Sequence, residues 1–255
     1  MKNPAAGGGR WVEVPPERFV SWIARFTERH GGIAGTAESR LAGTAVGGVA
    51  ARVAGREGTV TFTAADGAVA ECHPPFPSPA PLLSPALLSS GGERAVAGAL
   101  AAHAAADRTV GVLLVRLGGY AVGVFSGAPP RLVSSKTGSR PVHGRSAAGG
   151  WSQQRFARRR ENQAATALQA AADAAAEVFG RYGAGGLDAV VLGGDKRSAA
   201  GLRGDARLAQ YLARASGRFL TVPDPRLAVL RETPRAFLAF RIRLTEPESV
   251  GPARG

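Results

Sequence analysis

One cysteine, one methionine and an aromatic content of 6% remove several kinds of chemistry from this 255-residue chain before any motif is read. A single thiol, Cys72, permits no intrachain disulfide. No Cys/His spacing resembles a zinc site, so neither metal nor cofactor is expected, and a reducing cytoplasm suits the chain. Long apolar runs are missing too. The longest stretch, residues 109–130, is cut by Arg116 and several glycines and cannot form a membrane-crossing helix. The opening MKNPAAGGGR lacks the apolar centre of a secretion signal and is expected to be a disordered tail over residues 1–10. The sharpest absence is local: between Asp107 and Glu161 there is no carboxylate at all.

That same span carries Arg108, Arg116, Arg131, Lys136, Arg140, Arg145, Arg155, Arg158, Arg159 and Arg160, and these ten cations account for most of the formal net charge of +13. The basicity, with a pI near 11.3, is therefore an excess of one sign gathered in one place. A field of this kind suits a phosphate backbone. Arginine, which dominates it, makes bidentate phosphate contacts and stacks on bases. A GC-rich genome also favours Ala, Gly and Arg, but does not explain the clustering.

With 45% hydrophobic residues the chain is globular and long enough to bury a core, as one large domain or two small ones. Residues 11–14 read as a strand. Pro15 and Pro16 then start a helix whose Phe19, Ile23 and Phe26 recur at helical spacing. Residues 59–63 and 68–73 alternate about Asp66-Gly67, a pair that favours a two-residue hairpin turn. A small α+β domain over 11–75 is expected, followed by a proline-rich linker at 76–91.

A second domain is expected over 92–245, with a tail from 246. It opens with an Ala-rich helix at 93–107 and three closely spaced strands at 109–116, 119–126 and 131–136, which make an antiparallel meander. A helix at about 153–182, a strand at 187–192, a helix at 202–216 and strands at 219–222 and 236–244 follow. The fold class is α/β (α+β): a mixed sheet of meander plus parallel strands with flanking helices.

The chain is organised around residues 136–163, where a polar, glycine-punctuated loop is expected to run into the arginine-rich start of the long helix. Gly149 and Gly150 let a backbone pass through a narrow space, Ser152 can cap the helix, and Gln153 stands in its first turn beside free N–H groups. A glutamine amide is no base, but it can hold a water while backbone N–H groups stabilise charge developing on an ester oxygen. His143 could serve as a base or contact RNA, although arginine neighbours disfavour its protonated form. Trp151 could stack on a base or pack at the loop's foot. Residues 193–197 (GGDKR) follow a strand and precede a helix, where phosphate can bind, yet they lack P-loop spacing and read as a structural turn with a solvated Lys196.

GGWSQQRFARRRENQ resembles the Gly-Gly-Gln loop and following helix of eukaryotic and archaeal class-one peptide release factors, with Arg155-Phe156-Ala157-Arg158-Arg159-Arg160 in the place of their Arg-Phe-Ala-Arg-x-Arg run. It is more similar still to the actinobacterial branch of the Vms-like release factors, where Ser precedes the Gln as Ser152 precedes Gln153. The likeness covers about residues 109–222. It implies the ribonuclease-H-like middle domain of release factors and a peptidyl-tRNA hydrolase of ribosome rescue, acting as a cytoplasmic monomer on the large ribosomal subunit. Catalysis would fall to Gln153, with Gly149, Gly150, Trp151, Ser152 and Gln154 positioning the loop. RNA contacts would come from Lys136, Arg140, His143, Arg145, Arg155, Arg158, Arg159, Arg160 and Lys196. Release factors place Gln directly after the Gly pair, whereas Trp151-Ser152 intervene here, so Gln154 is the competing assignment. Two other functions stay open: a nuclease cutting the tRNA 3′ end, and a ribosome- or RNA-binding module without catalysis.

Overall fold

The computed structural model describes residues 3–4, 8–31, 52–54, 58–77, 92–116, 118–139, 152–183 and 185–246, with only the backbone path given for 3–4, 52–54 and 152–164. The chain forms two compact units, Met1–Ala106 with Leu238–Gly255, and Asp107–Phe237.

In the first unit the strands β1 (Asn3–Pro4), β2 (Arg10–Val14), β3 (Arg52–Ala54), β4 (Thr59–Thr63), β5 (Val69–His73) and β11 (Phe240–Thr245) form one sheet in the order β1-β2-β11-β5-β4-β3. Period-two alternation turns Val60, Phe62, Ala70, Cys72, Phe240, Ile242 and Leu244 to one face. Helices α1 (Pro16–Arg29) and α2 (Gly92–Ala105) cover that face with Phe19, Ile23, Phe26, Val96, Ala97 and Leu100. The Phe19 ring stacks on Phe240 with centroids 3.8 Å apart. Burial pushes the Cys72 thiol well above its ordinary range, so it behaves as a core hydrophobe. His30, at the end of α1, lies 2.7 Å from Asp66 in the β4–β5 turn. That turn has three residues rather than two. Ala64 and Ala68 are bonded at 2.8 Å across Ala65, Asp66 and Gly67, and Gly67 takes φ 90.

This arrangement corrects the expected domain limits. Helix α2 and strand β11, expected in a second domain spanning 92–245, both belong to the first unit, where β11 lies between β2 and β5. Alternation at Phe240, Ile242 and Leu244 tells which face is buried and is silent about the neighbouring strand. A fragment beginning near residue 90 should therefore aggregate, because it strips β11 of both partners. A 107–237 fragment should melt cooperatively, as circular dichroism and size-exclusion chromatography can check. Most of the proline-rich linker, 78–91, lies outside the described residues.

The second unit contains β6 (Val110–Arg116), β7 (Gly119–Ser126), β8 (Arg131–Ser139), β9 (Ala189–Gly194) and β10 (Ala215–Leu220), in the order β10-β9-β6-β7-β8. The expected meander is present, since β6–β7 and β7–β8 pair antiparallel. Strands β9 and β10 add parallel beside β6, giving the expected mixed sheet. One face packs against the 29-residue helix α3 (Ser152–Gly180) through Leu113, Val115, Val122, Val124, Ala171, Ala175, Val178 and Phe179.

Two elements differ from the sequence reading. Instead of one helix at 202–216 there are short helices α4 (Lys196–Gly201) and α5 (Ala209–Leu212) around a 3-10 turn, and β10 begins at Ala215. Asp205 breaks the run by accepting bonds from the Arg207 backbone and guanidinium, a local competition that favours a turn. The second is an additional helix, α6 (Leu227–Phe237), hidden in the sequence by its internal Pro234. Pro234 cannot donate to the Leu230 carbonyl, but the Thr233 hydroxyl does so at 2.7 Å, which makes the proline tolerable. Leu230 and Phe237 then bury against the sheet, Phe237 edge-on to Phe125.

Candidate functional site

Strand pairing decides where the polar loop leaves the fold. Ser139, the last residue of β8, pairs with Gly119, the first of β7, and Gly119 pairs with Arg116, the last of β6. The loop therefore departs at the end of the sheet where β6 and β9 also finish. In α/β sheets this is the end where loops carry ligands.

Helix α3 returns from the same end. Its Phe179 side chain sits over Gly111 near the start of β6, where a Cβ on the glycine would lie 3.0 Å from the ring. Eleven residues earlier, Leu168 packs on Gly201, the last residue of α4, the helix that follows β9. The helix continues from Leu168 back to Ser152, about 24 Å further at 1.5 Å per residue, with Ala165 and Thr166 already exposed. Its first turns, which hold Gln153, Gln154, Arg155, Arg158, Arg159 and Arg160, thus extend past the packed part of the sheet. Ser152 is the first helical residue, and Gln153 and Gln154 follow within the first turn. Arg140, His143, Arg145, Gly149, Gly150 and Trp151 lie outside the described residues.

Of the cations expected to contact RNA, Lys136 has a structural partner and Lys196 has a defined position. Lys136 Nζ donates to Glu177 Oε2, and Arg181 donates to the other oxygen of the same carboxylate at 2.9 Å. The bond to Glu177 raises the Lys136 pKa, and the ammonium holds the Glu177 carboxyl below its usual range. This pair ties β8 to α3 shortly before the loop begins. Sequence reasoning missed Glu177, although a carboxylate four residues before Arg181 on a helix is a readable signal.

Lys196 opens α4, whose N-terminus is already occupied. Asp195 Oδ1 accepts from the Arg197 N–H at 3.3 Å, and Oδ2 from the Ser198 N–H at 3.0 Å and hydroxyl at 2.6 Å. A phosphate would need those same N–H groups, so the structural-turn reading of this segment agrees with the geometry. Gly194 before it has φ 102, and a Cβ there would lie 2.1 Å from the Val115 carbonyl oxygen.

The Ser198 hydroxyl, followed by its N–H, holds the Asp195 carboxyl below the ordinary value of 3.8. A depressed folded-state pKa gives stability that is full above the unfolded value and lost as pH falls through the folded one. Asp195→Asn should therefore melt at lower temperature than the native chain at neutral pH. The gap should close on acidification below about pH 4, and a gap independent of pH would show that the charge is not what matters.

Among known proteins, a family model described as Actinobacteria/chloroflexi VLRF1 release factor matches residues 108–243. No curated protein matches. Two solved structures resemble the chain weakly. One, described only as an archaeal protein, has TM-score 0.34 and 12% identity, covering 88% of this chain and 62% of its own. The other is the archaeal translation termination factor aRF1, with TM-score 0.35, 11% identity, and coverage of 89% and 66%. The chain spans less than two thirds of the length of either, and neither likeness bears on function.

Proposed function

The chain belongs to the actinobacterial and chloroflexi VLRF1 release factor family, and on that premise we propose that it hydrolyses the ester joining a nascent peptide to tRNA on the large ribosomal subunit, with Gln153 positioning the attacking water. The observation that supports this reading is the course of α3. Strand β8 ends at Ser139 at one end of the sheet, and the helix that Ser152, Gln153 and Gln154 open returns from that end with several turns to spare. A helix in that position can carry its N-terminal turn and the preceding glycines into a narrow site while the sheet stays outside it.

The chemistry follows from the groups available. The amide of Gln153 offers an acceptor and two donors for a water, and free N–H groups of a first helical turn favour negative charge on the ester oxygen. Arg155, Arg158, Arg159 and Arg160 supply the charge that draws the helix start towards RNA. The reading includes no metal or cofactor. Large subunits carrying peptidyl-tRNA labelled on both parts test the reaction directly. Intact tRNA with free peptide is the expected result, whereas shortened tRNA would establish the nuclease, and no product would establish a binding module.

A further inference from the structure

Among the described residues, the loop end of the five-stranded sheet carries four exposed cations. Arg116 closes β6, and Lys196 and Arg197 follow β9. Arg226 ends the segment 221–226 that leads from β10 to α6. That segment folds back across the sheet end. Arg116 Nη1 donates to the Val222 carbonyl at 3.1 Å, and a Cβ on Gly119 would meet Pro225 Cδ at 3.7 Å. Arg226 therefore stands beside the start of β7. Since β9, β6 and β7 are adjacent, the cations spread over two strand spacings, about 10 Å.

Among the described residues, two carboxylates share this end. Asp195 faces its own helix and is held by Ser198 and the Arg197 N–H, with Arg116 near enough to help lower its pKa. Asp224 is exposed. Lys196, Arg197 and Arg226 make no ion pair with any described residue. The end thus keeps a positive excess borne on the last residue of β6, the first turn of α4 and the 221–226 segment that Arg116 holds. Val133, on β8, is the one large hydrophobic side chain exposed among the described residues. A lipid surface or an apolar protein interface would call for more.

We propose that Arg116, Lys196, Arg197 and Arg226 form a second phosphate contact, gripping the backbone of an RNA segment that lies beside the loop's target. The inference rests on the proposed release reaction for its biological setting, but its physical basis is independent of Gln153. A charged polymer with regularly spaced phosphates fits a row of fixed cations whose counter-charges are fewer and partly engaged.

The test is a full-length K196Q/R197Q/R226Q variant; Arg116 is left intact because it holds the 221–226 segment. Affinity for large ribosomal subunits and for an RNA stem-loop is measured over a salt series. Loss of three phosphate contacts should reduce the log–log salt slope by roughly 2 to 3 at an unchanged melting temperature. Gln153→Ala should leave that slope as it is. An unchanged slope in the triple variant overturns the proposal. So does a variant that loses binding to polyglutamate or anionic vesicles while its RNA slope stays native. A native chain that binds RNA through this row yet frees no peptide would sink the release reading and leave the row standing.

Discussion

Replacing Gln153 with alanine should slow peptide release from stalled large subunits by about 10²- to 10³-fold, or roughly 3 to 4 kcal/mol in the transition state, while ribosome binding and melting temperature stay native. The expectation follows from where the residue stands. Gln153 lies in the first turn of α3, well before Ala171, Ala175, Val178 and Phe179, through which the helix packs on the sheet. Removing a group that only orients water and charge should lower turnover and leave affinity alone. Gln154→Ala is the companion measurement. A silent Gln153→Ala with an inactive Gln154→Ala moves the catalytic position by one residue, and normal hydrolysis by both removes the glutamine mechanism. Gly150→Ala should fail differently, impairing docking as well as chemistry, because a Cβ is added where the backbone must pass.

Phe179→Ala should cost about 3 to 5 kcal/mol of folding stability and disturb release only through that loss. Phe179 is fully buried at the opposite end of the same helix, over Gly111, which Leu187 also flanks, with its ring 5.5 Å from that of Tyr211. It anchors α3 where β6 begins, and the remaining helix acts as a lever running from that anchor to Gln153. The glycine at 111 is part of the joint, since a side chain there would push into the ring. Urea denaturation of the variant measures the cost. A loss under about 1 kcal/mol would mean that the alanine face of α3 holds the helix without this contact. Release measured well below the variant's melting temperature should then approach the native rate, which separates a structural defect from a chemical one.

The two predictions divide α3 into halves that were legible to different degrees. Its packed half was read correctly from spacing, because Ala171, Ala175, Val178 and Phe179 recur at helical intervals and a helix has few ways to bury such a stripe. The meander was legible for a similar reason: strands separated by two to four residues can only turn back on each other. Helix α6 was not legible, because Pro234 reads as a breaker until the Thr233 hydroxyl is seen to take its place at the Leu230 carbonyl. Charge was only half readable. Arg116, Lys136, Lys196 and the helix arginines look alike in a sequence, and nothing in composition tells that Lys136 is held by Glu177 while Lys196 makes no ion pair.

By itself the sequence determined the chemistry available to this protein: a carboxylate-free basic stretch, a glycine-gated glutamine and the absence of any intrachain disulfide, all properties of residue type and order. It also determined most of the elements, since periodicity is local. Tertiary structure alone decided which elements share a sheet, sending β11 across the chain to lie between β2 and β5. It alone decided that the loop, β6 and β9 finish at one end, and that four cations from three separate segments gather there. The physical reason is that a strand's alternation specifies a buried face and not a partner. Pairing is chosen by the free energy of the whole sheet, which couples residues far apart in the chain and leaves no trace in any short stretch of it.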